Sequence, residues 1–416
     1  MSTSVASPSI CSPISTFRPR IWVQTSIAAF INLTIALYFW IDSRYPALLK
    51  KLHSGKGIQT KGALSFDALM PVTPAMSLMT RIGHTTVNWM WTNRIGMTFG
   101  ICFGAAMLTL LSTLPRIRFK SAAGNTLLGI VGGVPLAVCA NCVAPIGRSL
   151  FVAGASPNTV LATMISSPTL NVVVLAMVFA LFPLPIALVR VAVPLVLLAL
   201  VPVIVRKTAP GAWTSHTVNP SLVDKNGWWQ PLGFTLKSYL KNFAGLPVAT
   251  VPRMVIAAFL GALIAEVLPL NPIPTTVSLV GIVAVALAGT FLPVPMAFDV
   301  AVAFLLMTRG VPTPYVVTPL CTLGAFSIYP MLILGRTISW RTATALFGSV
   351  MLLGIAAGAG TALIQHWEFE AFFLTSRRPG LSIAPPREWR PFLARADHLP
   401  LPDHREARWR RHGGGL

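Results

Sequence analysis

The sequence predicts an all-α polytopic membrane protein built from two related halves, arranged as inverted repeats that contain interrupted helices or re-entrant hairpins. Three observations carry that expectation. Apolar residues fill 54% of the 416 positions and charged residues only 10%, against roughly 25% charged in a soluble domain. Long uncharged runs alternate with basic connections. Helix breakers also interrupt corresponding apolar segments in the two halves, the expected sequence sign of a transporter built from repeats.

The net charge of +21 does not point to nucleic acid, because Arg and Lys gather in the tail after Phe373 and between the apolar runs. That distribution fits loops held at an anionic membrane surface. The five cysteines are too few and too scattered for a disulfide framework. Only Cys139 and Cys142 stand as a pair.

Taken in order, residues 1–20 form a polar tail and residues 21–41 an apolar run that exits through Asp42-Ser43-Arg44. A cleavable signal has an apolar core of about 7–15 residues, so this longer run reads as an extra transmembrane helix. Residues 42–91 read as an extramembrane loop. The first repeat covers 92–206. It opens with a span over 92–114, followed by Pro115 and the basic residues Arg116, Arg118 and Lys120. Residues 124–151 then read as a hairpin. From Ser149 to Val189 the chain carries no charge for forty-one residues, which exceeds one span of about 20. Two spans are expected, 157–182 and 184–205.

A hydrophilic connection over 207–245 carries Trp228 and Trp229, suited to a membrane interface. The second repeat, 246–365, follows the same order: a span over 246–268, an interrupted segment over 278–307, a span over 312–335 broken at Gly324, and a span over 342–365. Residues 366–416 form a basic tail. Sliding the chain by 156 residues places Gly133 on Gly289, Gly154 on Gly310, Pro168 on Gly324 and Asn171 on Ser327. If the interrupted segments turn back without crossing, three spans separate them and the halves are inverted; if each crosses once, the repeats are parallel. Breakers near the middle of each segment favour hairpins.

The candidate site lies at these interruptions. Irregular backbone at membrane depth survives only where protein buries it or where it lines a cavity. In Ser166-Ser167-Pro168-Thr169-Leu170-Asn171, Pro168 cannot donate a backbone bond, which leaves the Met164 carbonyl without its helical partner. Ser166, Ser167 and Asn171 add polar groups around the opening, so the segment reads as substrate-lining; a plain proline kink is the alternative. Cys139, Asn141 and Cys142 mark the first hairpin tip, with Pro295 and Ser327 as second-half counterparts. Thiolates prefer soft ions, so the two cysteines suit a transient contact with a soft metal or metalloid, though cysteine also packs well as a small apolar residue. No second Cys/His pair stands nearby to close a structural metal site. Asp299 is a lone acid in the second-half apolar core. Such residues face a cavity, pair, or relay protons, which makes Asp299 a candidate for proton coupling, or for an ion pair with Arg148, Arg190 or Arg253.

The residues Gly132-Gly133-Val134-Pro135-Leu136, Gly154-Ala155-Ser156-Pro157 and Ser167-Pro168-Thr169-Leu170-Asn171 resemble those of the bacterial predicted-permease family that includes the organoarsenical efflux permeases. Leu292-Pro293-Val294-Pro295 and Arg309-Gly310-Val311-Pro312 are similar to that family's second half. The resemblance covers residues 92–365. It implies a multi-pass permease of the bacterial cytoplasmic membrane, with a cysteine-bearing tip near the path of a small-molecule or ion substrate.

No G-x-x-x-x-G-K-[ST] loop is present, so transport is expected to run on a gradient or on a partner. Nothing in the sequence calls for a cofactor. The spans hold no His-Glu pair, no Ser-Lys pair with a base and no acidic dyad, which argues against an intramembrane enzyme. A channel, or a membrane subunit of a larger assembly, stays open as an alternative, as does the oligomeric state.

Overall fold

The computed structural model describes residues 18–46, 49, 69–114, 119–211, 229–267 and 276–376. The expected N-terminal tail up to residue 17, residues 47–48 and 50–68 of the 42–91 loop, the basic residues Arg116 and Arg118, residues 212–228 of the 207–245 connection and the tail after 376 lie outside the described residues. The chain divides into two compact units, Met1–Ala362 and Leu363–Leu416. In the second, the described residues are the last turns of the final helix.

Among the described residues all regular structure is helical. The helices are α1 (Arg18–Phe39), α2 (Leu78–Thr113), α3 (Ala122–Gly133), α4 (Ala140–Val152), α5 (Pro157–Thr169), α6 (Val172–Leu181) and α7 (Leu184–Thr208) in the first half of the chain. They continue with α8 (Trp229–Val267), α9 (Leu279–Phe291), α10 (Phe298–Thr308), α11 (Thr313–Thr322), α12 (Ile328–Thr337) and α13 (Trp340–Ser376). Five are long and apolar enough to cross a membrane, and a sixth crossing arises if α5 and α6, bent by 41°, count as one span. The protein is an all-α polytopic membrane protein.

Two boundaries differ from the sequence reading. α2 starts at Leu78, inside the segment read as loop, and α8 starts at Trp229, inside the segment read as connection. The 36 residues of α2 extend about 54 Å at 1.5 Å per residue, well beyond the roughly 30 Å hydrocarbon core. Part of the helix therefore stands outside the core, where polar residues cost nothing and hydropathy cannot mark its start. Ser77 fixes that start instead, its hydroxyl accepting from the Thr80 N–H at 3.3 Å.

Close approach of backbones sets the packing of the first half. Gly96, Gly100 and Gly104 line one face of α2, and Cβ atoms there would run into Cys142, the Cys142 carbonyl and Ser149 of α4. Small residues four apart let membrane helices approach closely. α3 runs parallel to α5, because Thr159 Oγ1 donates to the Asn125 carbonyl at 2.9 Å and Thr163 Oγ1 to the Gly129 carbonyl at 3.1 Å. α4 runs the opposite way along α5: its leading residue Val138 meets Ser167, while Gly147 packs beside Val160 and Met164. α3 and α4 thus form a hairpin that returns to the end from which it came.

α9 and α10 are disposed likewise on α11. Gly281 packs on Tyr315 and Gly289 on Thr322, so α9 and α11 run parallel. α10 returns, its Asp299 lying against Gly324 beyond the end of α11. Contacts between helix ends fix the directions. α2 and α8 run antiparallel, joined by the Arg81–Glu266 ion pair at one end and by Asn242 Nδ2 donating to Thr109 Oγ1 (2.9 Å) towards the other. The end of α7 meets the start of α13 through Thr208 and Thr342, 2.9 Å apart. Followed through these contacts, the α3–α4 hairpin opens toward the end that holds Thr113 and Thr208. The α9–α10 hairpin opens toward the end that holds Arg81 and Glu266.

Candidate functional site

The first hairpin turns through a short 3₁₀ stretch, Val134–Leu136, and then Ala137 at φ 48°. A left-handed conformation in a residue with a Cβ is uncommon, and here it reverses the chain so that Val138 faces Ser167. The Ser167 hydroxyl lies 3.3 Å from the Val138 N–H and 3.4 Å from its carbonyl, so it serves an extended residue that has no helical partners. Cys139 then caps α4, its sulfur accepting from the Cys142 N–H at 3.2 Å.

Cys139 and Cys142 form a disulfide, with Cα atoms 5.2 Å apart. The sequence reading treated both as thiols able to meet a soft ion. Because the i, i+3 spacing across the first turn of α4 brings the sulfurs together, they become thiol donors only after reduction. Among the described residues no three His, Cys, Asp or Glu side chains gather as a metal site.

Pro168 lies in the last turn of α5 and the chain breaks just after it, at Leu170 and Asn171. Asn171 repairs the break. Its Oδ1 accepts from the Val174 N–H at 3.0 Å, capping α6, while Nδ2 donates to the carbonyls of Ser167 (2.8 Å) and Pro168 (3.2 Å). One side chain thereby satisfies groups on both sides of the gap, where each orphan would cost several kcal/mol in lipid. Ser166 differs: its hydroxyl is buried beneath Gly133 with no hydrogen-bond partner among the described residues.

The second break, Leu323–Ser327, is built otherwise. Gly324 adopts φ 83°, a conformation open to glycine at no steric cost. Ser327 leads into α12 without capping it. Its hydroxyl instead donates to Asn141 Oδ1 at 2.9 Å, and Asn141 Nδ2 donates to the Val294 carbonyl at 3.0 Å, next to Pro295. Asn141, fully buried, joins the first hairpin tip to the second tip and to the second break. Cys139, Asn141, Cys142, Ser167, Pro295 and Ser327 are therefore drawn together.

Asp299 pairs with Arg190 of α7, Nη2 to Oδ2 at 2.9 Å, and both side chains are almost completely buried. Of the three arginines considered from sequence, the structure selects Arg190. Its Nε and Nη1 have no hydrogen-bond partner among the described residues. Sequence reasoning passed over two further contacts, in which an indole N–H donates to a hairpin carbonyl: Trp40 to Pro135 (3.0 Å) and Trp89 to Pro293. Both tryptophans fell in segments read as peripheral, and only their indole donors hinted at buried acceptors. A cavity of about 290 Å³, bordered by Arg253, Arg336 and Trp340, is lined by none of the predicted site residues.

The comparisons with known proteins agree with this architecture. The family described as predicted permease (ArsP_1) matches residues 106–361, more than half of the chain. The UPF0718 protein YraQ of Escherichia coli (strain K12) is 26% identical over 260 residues, covering 61% of this chain and 71% of that protein. No solved structure matches. The match spans both hairpins and both broken helices, and the chain belongs to the predicted-permease family.

Proposed function

We propose that this protein moves a small solute across the bacterial cytoplasmic membrane by gradient-driven alternating access, with residues 92–206 and 246–365 acting as inverted repeats. Two hairpins that open toward opposite ends of the helix bundle support that reading, as does the shared order of elements. The observation that carries it is the Asn141 side chain, which ties two hairpin tips and one broken helix through two hydrogen bonds. A typical hydrogen bond contributes only about 0.5–1.5 kcal/mol net, so a solute that offers equivalent partners can replace these two and let the tips part.

In this proposal Cys139, Asn141, Cys142, Ser166, Ser167, Pro168, Asn171, Pro295 and Ser327 surround the solute path. Asp299 couples transport to protons through its bond to Arg190. Reduction of the Cys139–Cys142 pair would expose two thiols, which suits efflux of a soft metal, a metalloid or an organoarsenical species. The extra helix over 21–41 braces the first tip through Trp40.

The test is flux from liposomes holding the purified protein, with labelled solutes chosen by their effect on its thermal stability. A carrier releases label faster when the same solute, unlabelled, is added outside. Release that ignores external solute would replace the carrier with a channel. Release of a thiophilic solute is expected to require reductant and to fail in C139S/C142S; equal rates in that variant would remove the thiols from the path.

A further inference from the structure

We infer that Arg190 is the binding residue for a small anion, which takes the place of the Asp299 carboxylate. This rests on the permease reading above and names the substrate class for it.

Arginine carries five N–H donors and cannot lose its charge in a protein. Arg190 is 1% exposed, yet among the described residues Nη2 donates to Asp299 while Nε and Nη1 find no acceptor. Buried donors without partners are rare in native structures and call for a specific cause. A purely structural pair would be expected to satisfy them, since leaving a buried charged donor unmatched is costly. The geometry points to an acceptor that is not part of the chain.

The surroundings define that acceptor. Ala187 of α7 and Val300 of α10, near the pair in sequence, belong to a buried apolar cluster that also holds Val178, Phe182, Tyr315 and Leu320. Asp299 is the acid that balances Arg190. A neutral solute could accept from Nε and Nη1 but could not replace the Asp299 carboxylate as the counter-charge of Arg190. A small carboxylate or oxyanion can accept from the guanidinium fork, the strongest hydrogen-bonding geometry arginine offers. Charge then balances if a proton from water joins the displaced Asp299: the cation keeps one anionic partner, and the acid becomes neutral. Gly324, whose missing Cβ would stand 3.4 Å from the Asp299 Cγ, lets the second break lie directly against the carboxyl. Exchange of partners at Arg190 is thus placed beside the segment that interrupts the span.

Thermal stability of the purified protein in detergent tests this without any flux assay, using sodium phosphate, sulfate and acetate at ionic strength matched with chloride. Wild type should be stabilised by at least one of the three anions. D299N removes the internal competitor, and its half-saturating concentration for that anion should fall about tenfold or more. R190Q/D299N keeps the site neutral and foldable and should lose the response. The inference is overturned if no anion stabilises wild type, if D299N responds at the same concentration as wild type, or if R190Q/D299N still responds. A protein that binds anions in this way yet shows no carrier behaviour in liposomes would contradict the permease reading and leave the anion site standing.

Discussion

The two breaks in the helix bundle solve one problem in opposite ways. At Leu170–Asn171 every repair is local and neutral: Asn171 caps α6 and holds two carbonyls of α5, and Ser167 steadies the hairpin tip against it. At Leu323–Ser327 the backbone closes on itself, the Leu323 N–H donating to the Pro319 carbonyl and the Ala325 N–H to that of Thr322, but no side chain of the break caps α12. Ser327 gives its hydroxyl to Asn141 in the other half, and a buried ion pair lies alongside. The contrast teaches that the first break is closed by its own neighbours, with the Ser166 hydroxyl left unpartnered among the described residues. The second depends on partners in other elements and changes whenever they move.

The largest effect that separates the two is expected at the ion pair. Removing one member of a buried pair typically costs about 3–5 kcal/mol, because the other charge is stranded. R190Q should therefore unfold at a markedly lower temperature, and R190Q/D299N should recover most of the loss. If R190Q matched wild type, the second break would not depend on the charge.

A smaller loss is expected at the first break. N171A removes an N-cap, worth about 0.5–2 kcal/mol, and leaves the Ser167 and Pro168 carbonyls without their side-chain donor. Stability should fall by an amount between the two charge variants, with any surviving flux keeping its dependence on external solute. Unchanged stability would show that the first break is not held by Asn171.

The smallest effects concern the indole braces. W40F and W89F each delete one hydrogen bond to a hairpin carbonyl and should cost about 1 kcal/mol in stability. Of the two, W89F should disturb flux more, because it loosens the tip that Asn141 ties to the second break. Equal effects on flux would blur the distinction between the halves.

Much of this arrangement was legible in the sequence because membrane depth makes helix breakers conspicuous. Gly132-Gly133-Val134-Pro135 and Leu292-Pro293-Val294-Pro295 stand out within uncharged runs, and the hairpins turn there. Asn171 was marked as polar in an apolar span, but its task as a cap and clamp depends on a bend that only coordinates reveal. The starts of α2 and α8 were hidden because a helix that leaves the hydrocarbon core may carry any polar residue. Asp299 was visible as a lone acid, yet three arginines were eligible partners, since the choice depends on how α7 packs on α10 rather than on spacing. The disulfide was unreadable for a related reason: a Cys-x-x-Cys spacing permits bonding, packing or metal contact alike.

The central claim is that the two hairpin tips meet at Asn141 and must separate for a solute to pass. Its most direct test places cysteines at positions 141 and 327 in a chain whose Cys139 and Cys142 are serine, and follows exchange in liposomes of a solute that does not bind thiols. The Asn141–Ser327 contact predicts that N141C and S327C crosslink under mild oxidation, that the crosslink stops exchange, and that reductant restores it. A quantitative crosslink with undiminished exchange would show that the tips need not part, and would contradict the account.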